Sequence, residues 1–70
     1  MKLLIVVEQT DSGFSASAPD LPGCIATGST RENVEHGMRE AIEFHLEGLR
    51  ADGMTVPAPQ AYATMVEVAA

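Results

Sequence analysis

The stretch Ala18-Pro19-Asp20-Leu21-Pro22-Gly23-Cys24-Ile25-Ala26-Thr27-Gly28-Ser29-Thr30 decides the fold of this chain. Two prolines and two glycines fall within ten of these residues. Proline fixes φ and removes a backbone donor, whereas glycine permits positive φ, so the chain must change direction here at defined points. Apolar side chains alternate with these corners, which indicates a specified loop rather than a loose linker.

A β-hairpin is predicted before this corner, and a third strand after it. Residues 3–7, Leu-Leu-Ile-Val-Val, form a continuous apolar run that is typical of a strand covered on both faces. A turn at residues 10–13 separates this run from residues 14–18, where Phe14, Ala16 and Ala18 share one face. Residues 24–27 then favour a short third strand.

A single long helix follows the third strand. Ser29 and Glu32 have the spacing of a capping box, with Thr30 as the alternative cap, and we expect the helix to reach about Ala51 and stop at Gly53. At 100° per residue, one helix face is apolar and consists of Val34, Met38, Ala41, Ile42, His45 and Leu49. The opposite face carries Glu32, Glu35, His36, Arg39, Glu40, Glu43, Glu47 and Arg50.

A last strand is predicted at residues 62–68, after an extended connection that contains Pro57 and Pro59. The order is then β-β-β-α-β, and a right-handed crossover would place the last strand beside the first and parallel to it. The expected fold class is α+β, with one helix packed on a four-stranded mixed sheet. The helix covers one face of this sheet, so a second subunit is the simplest cover for the other face.

The size of the chain also favours self-association. Seventy residues form one domain with little apolar surface to bury, and a single cysteine cannot make an intrachain disulfide. We therefore expect a homodimer or a higher homo-oligomer. Glycines on the helix flank would allow close approach of either the sheet or a partner subunit, or are simply tolerated there. The predicted oligomer interface consists of Leu4, Val6, Gly37 and Phe44.

The charge of the chain limits its partners. Four Lys and Arg residues stand against ten Asp and Glu residues, which gives a formal net charge of -6. Direct nucleic-acid binding needs clustered cations and is not expected, whereas an acidic surface suits a basic protein partner or simply aids solubility. The first apolar run ends at Val7 before Glu8, too short for a signal-peptide core, and no stretch reaches membrane-spanning length. A cytoplasmic location is expected.

No catalytic, cofactor or metal site is predicted. The first strand carries no acid and the helix acids face solvent, so the carboxylates that a two-metal nuclease needs do not converge. His36 and His45 lie on opposite helix faces and cannot share a metal. His45 is expected to be a core histidine, or else an interface residue whose protonation would disfavour assembly. Cys24 is expected to be a small buried hydrophobe, and Asp20 to bond turn amides or contact a partner.

The order "PDLPGC", "TGST", "REAIEFHLEGLRADG" and "VPAP" resembles the HicB-like antitoxin family, from Leu3 to about Val68. The resemblance implies a partial ribonuclease-H-like fold in a single domain, residues 1–70, without the DNA-binding segment that several members append. It also implies an antitoxin of a type II toxin–antitoxin pair, which neutralises a basic, HicA-like, mRNA-cleaving toxin by direct binding and occlusion. The alternative is a stand-alone, non-enzymatic binding or assembly module. The predicted contact residues are Asp20, Leu21, Pro22, Glu40, Glu43 and Glu47.

Overall fold

The computed structural model describes residues 1–70 and contains three strands and one helix. These elements are β1 (Val6–Gln9), β2 (Phe14–Ser17), β3 (Ile25–Gly28) and α1 (Arg31–Ala51). The strands form one antiparallel sheet in the order β1-β2-β3. The α+β class, the hairpin and the third strand are therefore confirmed. The prediction that the first strand spans residues 3–7 and is covered on both faces was wrong, because β1 pairs with β2 only from Val6 onward and is exposed along its length.

The hairpin has the predicted turn and the predicted inward face. The amide of Thr10 donates to the carbonyl of Gly13 over 2.8 Å, and this bond closes the turn between β1 and β2. Ala16 and Ala18 are buried, and Phe14 is half-buried. The period-2 pattern therefore places these side chains toward the core, as expected.

The proline and glycine corner between β2 and β3 is closed by its own backbone. The amide of Leu21 donates to the carbonyl of Ala18 over 2.9 Å, and the amide of Cys24 donates to the carbonyl of Leu21 over 3.1 Å. Gly23 has φ of 85°, a conformation that L side chains rarely adopt. These bonds turn the Leu21 side chain into the core, where it is 1% exposed.

The N-cap of α1 is Thr30, the alternative cap, and not Ser29. The Thr30 Oγ1 atom accepts a hydrogen bond from the Asn33 amide over 3.0 Å, which makes Thr30 the N-cap. The Ser29 hydroxyl accepts a hydrogen bond from the Asn33 side-chain amide over 3.0 Å, so it is not the cap of the predicted capping box. Gly53, with φ of 70°, follows the C-cap residue and confirms the predicted end of the helix.

The core lies between α1 and one face of the sheet. Its buried residues are Ala16, Ala18, Leu21, Cys24, Val34, Met38 and Leu46. Leu46 is outside the helix face predicted from the sequence, yet it is only 8% exposed. The approach of α1 to the end of β3 is tight at Gly28, where an added Cβ would lie 2.6 Å from the Val34 nitrogen.

The predicted fourth strand does not form within this chain. Residues 62–70 are all exposed and belong to no strand ladder, so the sheet has three strands and no parallel pair. The amides just before this segment, those of Gln60 and Ala61, bond to the Asp20 carboxylate, so the chain is held there beside the corner between β2 and β3, and the residues that follow pair with no strand. The ribonuclease-H-like arrangement stays a prediction. The structure has no helix with the length and apolar character that a bilayer crossing requires.

Candidate partner-binding surface

Three glutamates form a continuous stripe along the outer side of α1. Glu40, Glu43 and Glu47 are exposed, and we name them the acidic stripe. At about 100° and 1.5 Å per residue they fall within roughly 60° around the helix and about 10 Å along its axis. This wedge lies almost opposite the buried Val34 and Met38. The stripe therefore lies on the outer side of α1, as the helical pattern predicted, although Glu43 at its edge also lines the groove between α1 and the residues before β1.

The carboxylates of the acidic stripe differ in their surroundings. Glu40 Oε1 lies 2.6 Å from His36 Nε2, and both side chains are well exposed, so this pair belongs to the outer surface of α1. Glu43 and Glu47 make no ion pair with the rest of the chain. These two carboxylates are consequently available to a cationic partner.

Asp20 serves the fold of its own chain. Its carboxylate accepts hydrogen bonds from the Gln60 amide over 3.1 Å and from the Ala61 amide over 3.2 Å. The prediction that it bonds the amides of its own turn was wrong, because the donors come from 40 residues further along the chain. Leu21 is buried and so offers no side-chain surface to a partner, whereas Pro22 is exposed at the tip of the corner.

An open groove of about 420 Å³ lies between α1 and the segment that precedes β1. Its apolar lining includes Leu3, Ile5, Ile42 and Leu46, and its polar lining consists of Glu35, Arg39, Glu43 and Arg50. Leu3 and Ile5 are only half-buried although both are large and apolar. The groove therefore leaves apolar surface uncovered in the single chain.

The residues predicted for an oligomer interface occupy different surroundings. Leu4 is half-buried, while Val6 and Phe44 are 39% and 79% exposed. Gly37 faces the chain's own sheet, because an added Cβ there would lie 3.8 Å from the Cβ of Ala26. The close approach at Gly37 is thus made by β3 of the same chain, so we no longer include Gly37 among the predicted interface residues.

The remaining chemistry-bearing side chains are not grouped. Cys24 is buried, and desolvation raises the pKa of its thiol, as expected for a small core residue. His45 is half-buried on α1, whereas His36 is on the outer surface of that helix. No three His, Cys, Asp or Glu side chains come together in a way that could hold a metal ion.

Comparison with known proteins identifies relatives of this arrangement. Residues 3–69 match the family of HicB-like antitoxins of bacterial toxin–antitoxin systems. An uncharacterised 14.9 kDa protein of Haemophilus phage HP1 is 38% identical over 53 residues, which are 76% of this chain and 40% of the phage protein. A UPF0150 protein of Helicobacter pylori is 36% identical over 52 residues, 74% of this chain and 72% of that protein. The chain thus spans less than half the length of the phage relative.

A solved structure has the same fold. It is the HicA3 and HicB3 toxin–antitoxin complex, in which one chain superposes with a TM-score of 0.66 at 29% identity. The match covers 83% of this chain and 72% of the other.

Proposed function

Because this chain belongs to the HicB-like antitoxin family, we propose that it is the antitoxin of a type II pair and neutralises a basic, HicA-like, mRNA-cleaving toxin by binding it directly. The observation that carries the proposal is the family match over residues 3–69. The likeness to a solved toxin–antitoxin complex supports it. The proposed role is occlusion of the toxin's RNA site in the cytoplasm, not catalysis.

The acidic stripe is the proposed main contact with the toxin. A ribonuclease must attract phosphates, so its RNA site is cationic, and an acidic surface can occupy that site in place of RNA. Glu43 and Glu47 have no cation of their own, so a toxin cation can pair with them without breaking an existing ion pair. Glu40 would contact the toxin either while it remains paired with His36 or after a toxin cation has replaced His36 as its partner.

The corner between β2 and β3 is proposed as a secondary contact. Pro22 is exposed there on a backbone fixed by its own hydrogen bonds, so little conformational entropy is lost when a partner binds it. Asp20 and Leu21 would support this contact indirectly. Asp20 holds the segment after α1, and Leu21 packs in the core.

A charge-reversal pair tests the stripe. We compare the double variant Glu43→Lys, Glu47→Lys with the double variant Glu8→Lys, Asp11→Lys, which changes the net charge equally at exposed sites in the hairpin. Exposed pairs contribute about 0.2–1 kcal/mol each, and reversal adds repulsion, so we expect about 2 kcal/mol, or roughly 30-fold weaker binding, from the stripe variant alone. Added salt should reduce this difference.

The binding partner for this test is sought among the reading frames beside the gene of this chain, as a small basic protein; if no such frame is found, the stand-alone binding module is favoured. Expression of that protein alone should stop growth, and co-expression of this chain should restore it, with a stable complex on gel filtration. Equal affinity of the two double variants would exclude the stripe as the contact. A neighbouring protein that neither harms the cell nor binds would favour the stand-alone binding module instead.

A further inference from the structure

The segment after α1 ends in an apolar tail that has no partner. The tail, residues 62–70, is exposed throughout. Its large side chains are nearly bare: Tyr62, Met65, Val66 and Val68 are 83%, 96%, 77% and 74% exposed. Residues 64–68, Thr-Met-Val-Glu-Val, have high strand propensity, and such a segment is normally found in a sheet. The tail is therefore a strand-forming segment without a strand neighbour.

The sheet offers a free edge that matches this tail. β1 pairs with β2 on one side only, and its other side has no strand neighbour. The apolar run at residues 3–7, the edge run, leads into this edge: Val6 and Val7 belong to β1, whereas residues 3–5 precede it and are half-buried without a strand pairing. Such an edge leaves backbone amides and carbonyls ready to pair with another strand. Both the edge run and residues 64–68 are five residues long.

The surface area of the protomer shows how much the tail leaves uncovered. The chain exposes 5607 Å², whereas a compact monomer of 7.4 kDa would expose about 4,200 Å². The excess of about 1,400 Å² per chain would give about 2,800 Å² if two copies covered it, which exceeds the 1,200–2,000 Å² of a stable interface. The Cα radius of gyration of 13.9 Å, against about 11 Å for a compact chain, agrees with a projecting tail.

The alternation of the tail fixes which face would be buried. In a strand, Thr64, Val66 and Val68 share one face, while Met65 and Glu67 share the other. Glu67 needs water, so the valine face is the one to be covered. The matching face of the edge run is that of Leu3 and Ile5, which line the groove beside α1.

From these observations we infer that two copies of this chain form a dimer by exchanging their tails. Residues 64–68 of each copy pair with residues 3–7 of the other, and Val66 lies beside Ile5 whether the strands run parallel or antiparallel, because both are the central residues. The exchange is reciprocal, so the assembly closes with two-fold symmetry and covers both β1 edges. The valines then complete the apolar wall of each groove.

A substitution in the tail tests the exchange by mass, with no toxin present. The full chain should have twice the 7.4 kDa mass in light scattering at micromolar concentration. Val66→Asp places a charge in the groove and should raise the dimer dissociation constant at least about tenfold. Ala69→Asp adds the same charge beyond the paired residues and should leave the mass unchanged. Val66 is bare in the protomer, so helix content by circular dichroism should stay constant in both variants.

A cross-link distinguishes exchange between chains from pairing within one chain. In a Cys24→Ala background, Ile5→Cys with Val66→Cys should form a covalent dimer on a non-reducing gel, because neighbouring strand residues lie within disulfide reach. Each single variant should remain uncross-linked. A monomeric wild type, a dimer that persists in Val66→Asp, or a disulfide that forms within one chain or not at all would overturn the inference. None of these readouts depends on a toxin.

Discussion

Gly28 sets the distance between the helix and the sheet, and a methyl group there should be costly. A Cβ added at Gly28 would lie 2.6 Å from the nitrogen and 2.9 Å from the Cα of Val34. Carbon atoms in favourable contact are about 3.5–4.0 Å apart, so the first turns of α1 would have to move away by about 1 Å. Val34 is fully buried, and this movement would loosen its packing.

The expected cost of Gly28→Ala follows from what the methyl group meets. Overpacking costs about 1–3 kcal/mol, and the upper value applies here because backbone, not a flexible side chain, is in the way. For a domain of this size about 3 kcal/mol lowers Tm by roughly 15 °C. Gly48→Ala is the matched control: an added Cβ meets no atom within 4 Å, and alanine in a helix interior is favoured by up to about 1 kcal/mol.

Urea and thermal unfolding, followed by far-ultraviolet circular dichroism at one protein concentration, measure both variants. The two glycine-to-alanine changes should shift stability in opposite directions. If Gly28→Ala were within about 0.5 kcal/mol of wild type, or less destabilising than Gly48→Ala, the packing argument would be refuted.

Three further outcomes follow from single side chains. Thr30→Ala removes the helix cap and should lower stability by about 1 kcal/mol, while Thr30→Ser should keep most of it; equal melting curves for the two would contradict the assignment. Burial raises the pKa of the Cys24 thiol and leaves the residue only 5% exposed, so its alkylation at pH 8 should be slower than that of free cysteine and should rise with pH; reaction at the free rate would show an accessible thiol. Asp20→Ala should speed amide hydrogen exchange at Gln60 and Ala61 about tenfold, read by NMR, and unchanged protection would mean that the carboxylate does not hold them.

Local sequence signals predicted the elements well, and contacts between distant segments were the part that escaped. The turn at residues 10–13 and the helix end at Gly53 depend on neighbouring residues, so the sequence carries them. The partners of Asp20 lie 40 residues away, and no local pattern indicates them. The exposed state of residues 62–70 escaped for the same reason: strand propensity predicts a strand, but not whether a neighbour is present.

Two finer errors come from the geometry of packing. Leu46 lies about 60° around the helix from Leu49, outside the helix face that was expected to contact the sheet. Leu3 and Ile5, which precede β1, lie beside this flank of α1 and line the same groove as Leu46. Its apolar character within an acidic neighbourhood was the signal that could have found it. Both Ser29 and Thr30 suit a cap, and the hydrogen bonds of Asn33 decide between them.

The hydrogen bonds to the Asp20 carboxylate also limit the conformational entropy that the tail loses when it docks. They hold the chain at Gln60 and Ala61, and the Met54 amide donates to the Leu49 carbonyl, so the connection from Met54 to Ala61 is anchored at both ends in the isolated protomer. Fixing the backbone of a residue costs about 1–2 kcal/mol, and the residues beyond Ala61 incur that entropic cost when they dock. The Asp20 carboxylate thus shortens the free part of the tail. Removal of this carboxylate would lengthen the free segment and weaken association through the added entropic cost, although no residue of the contact surface had changed.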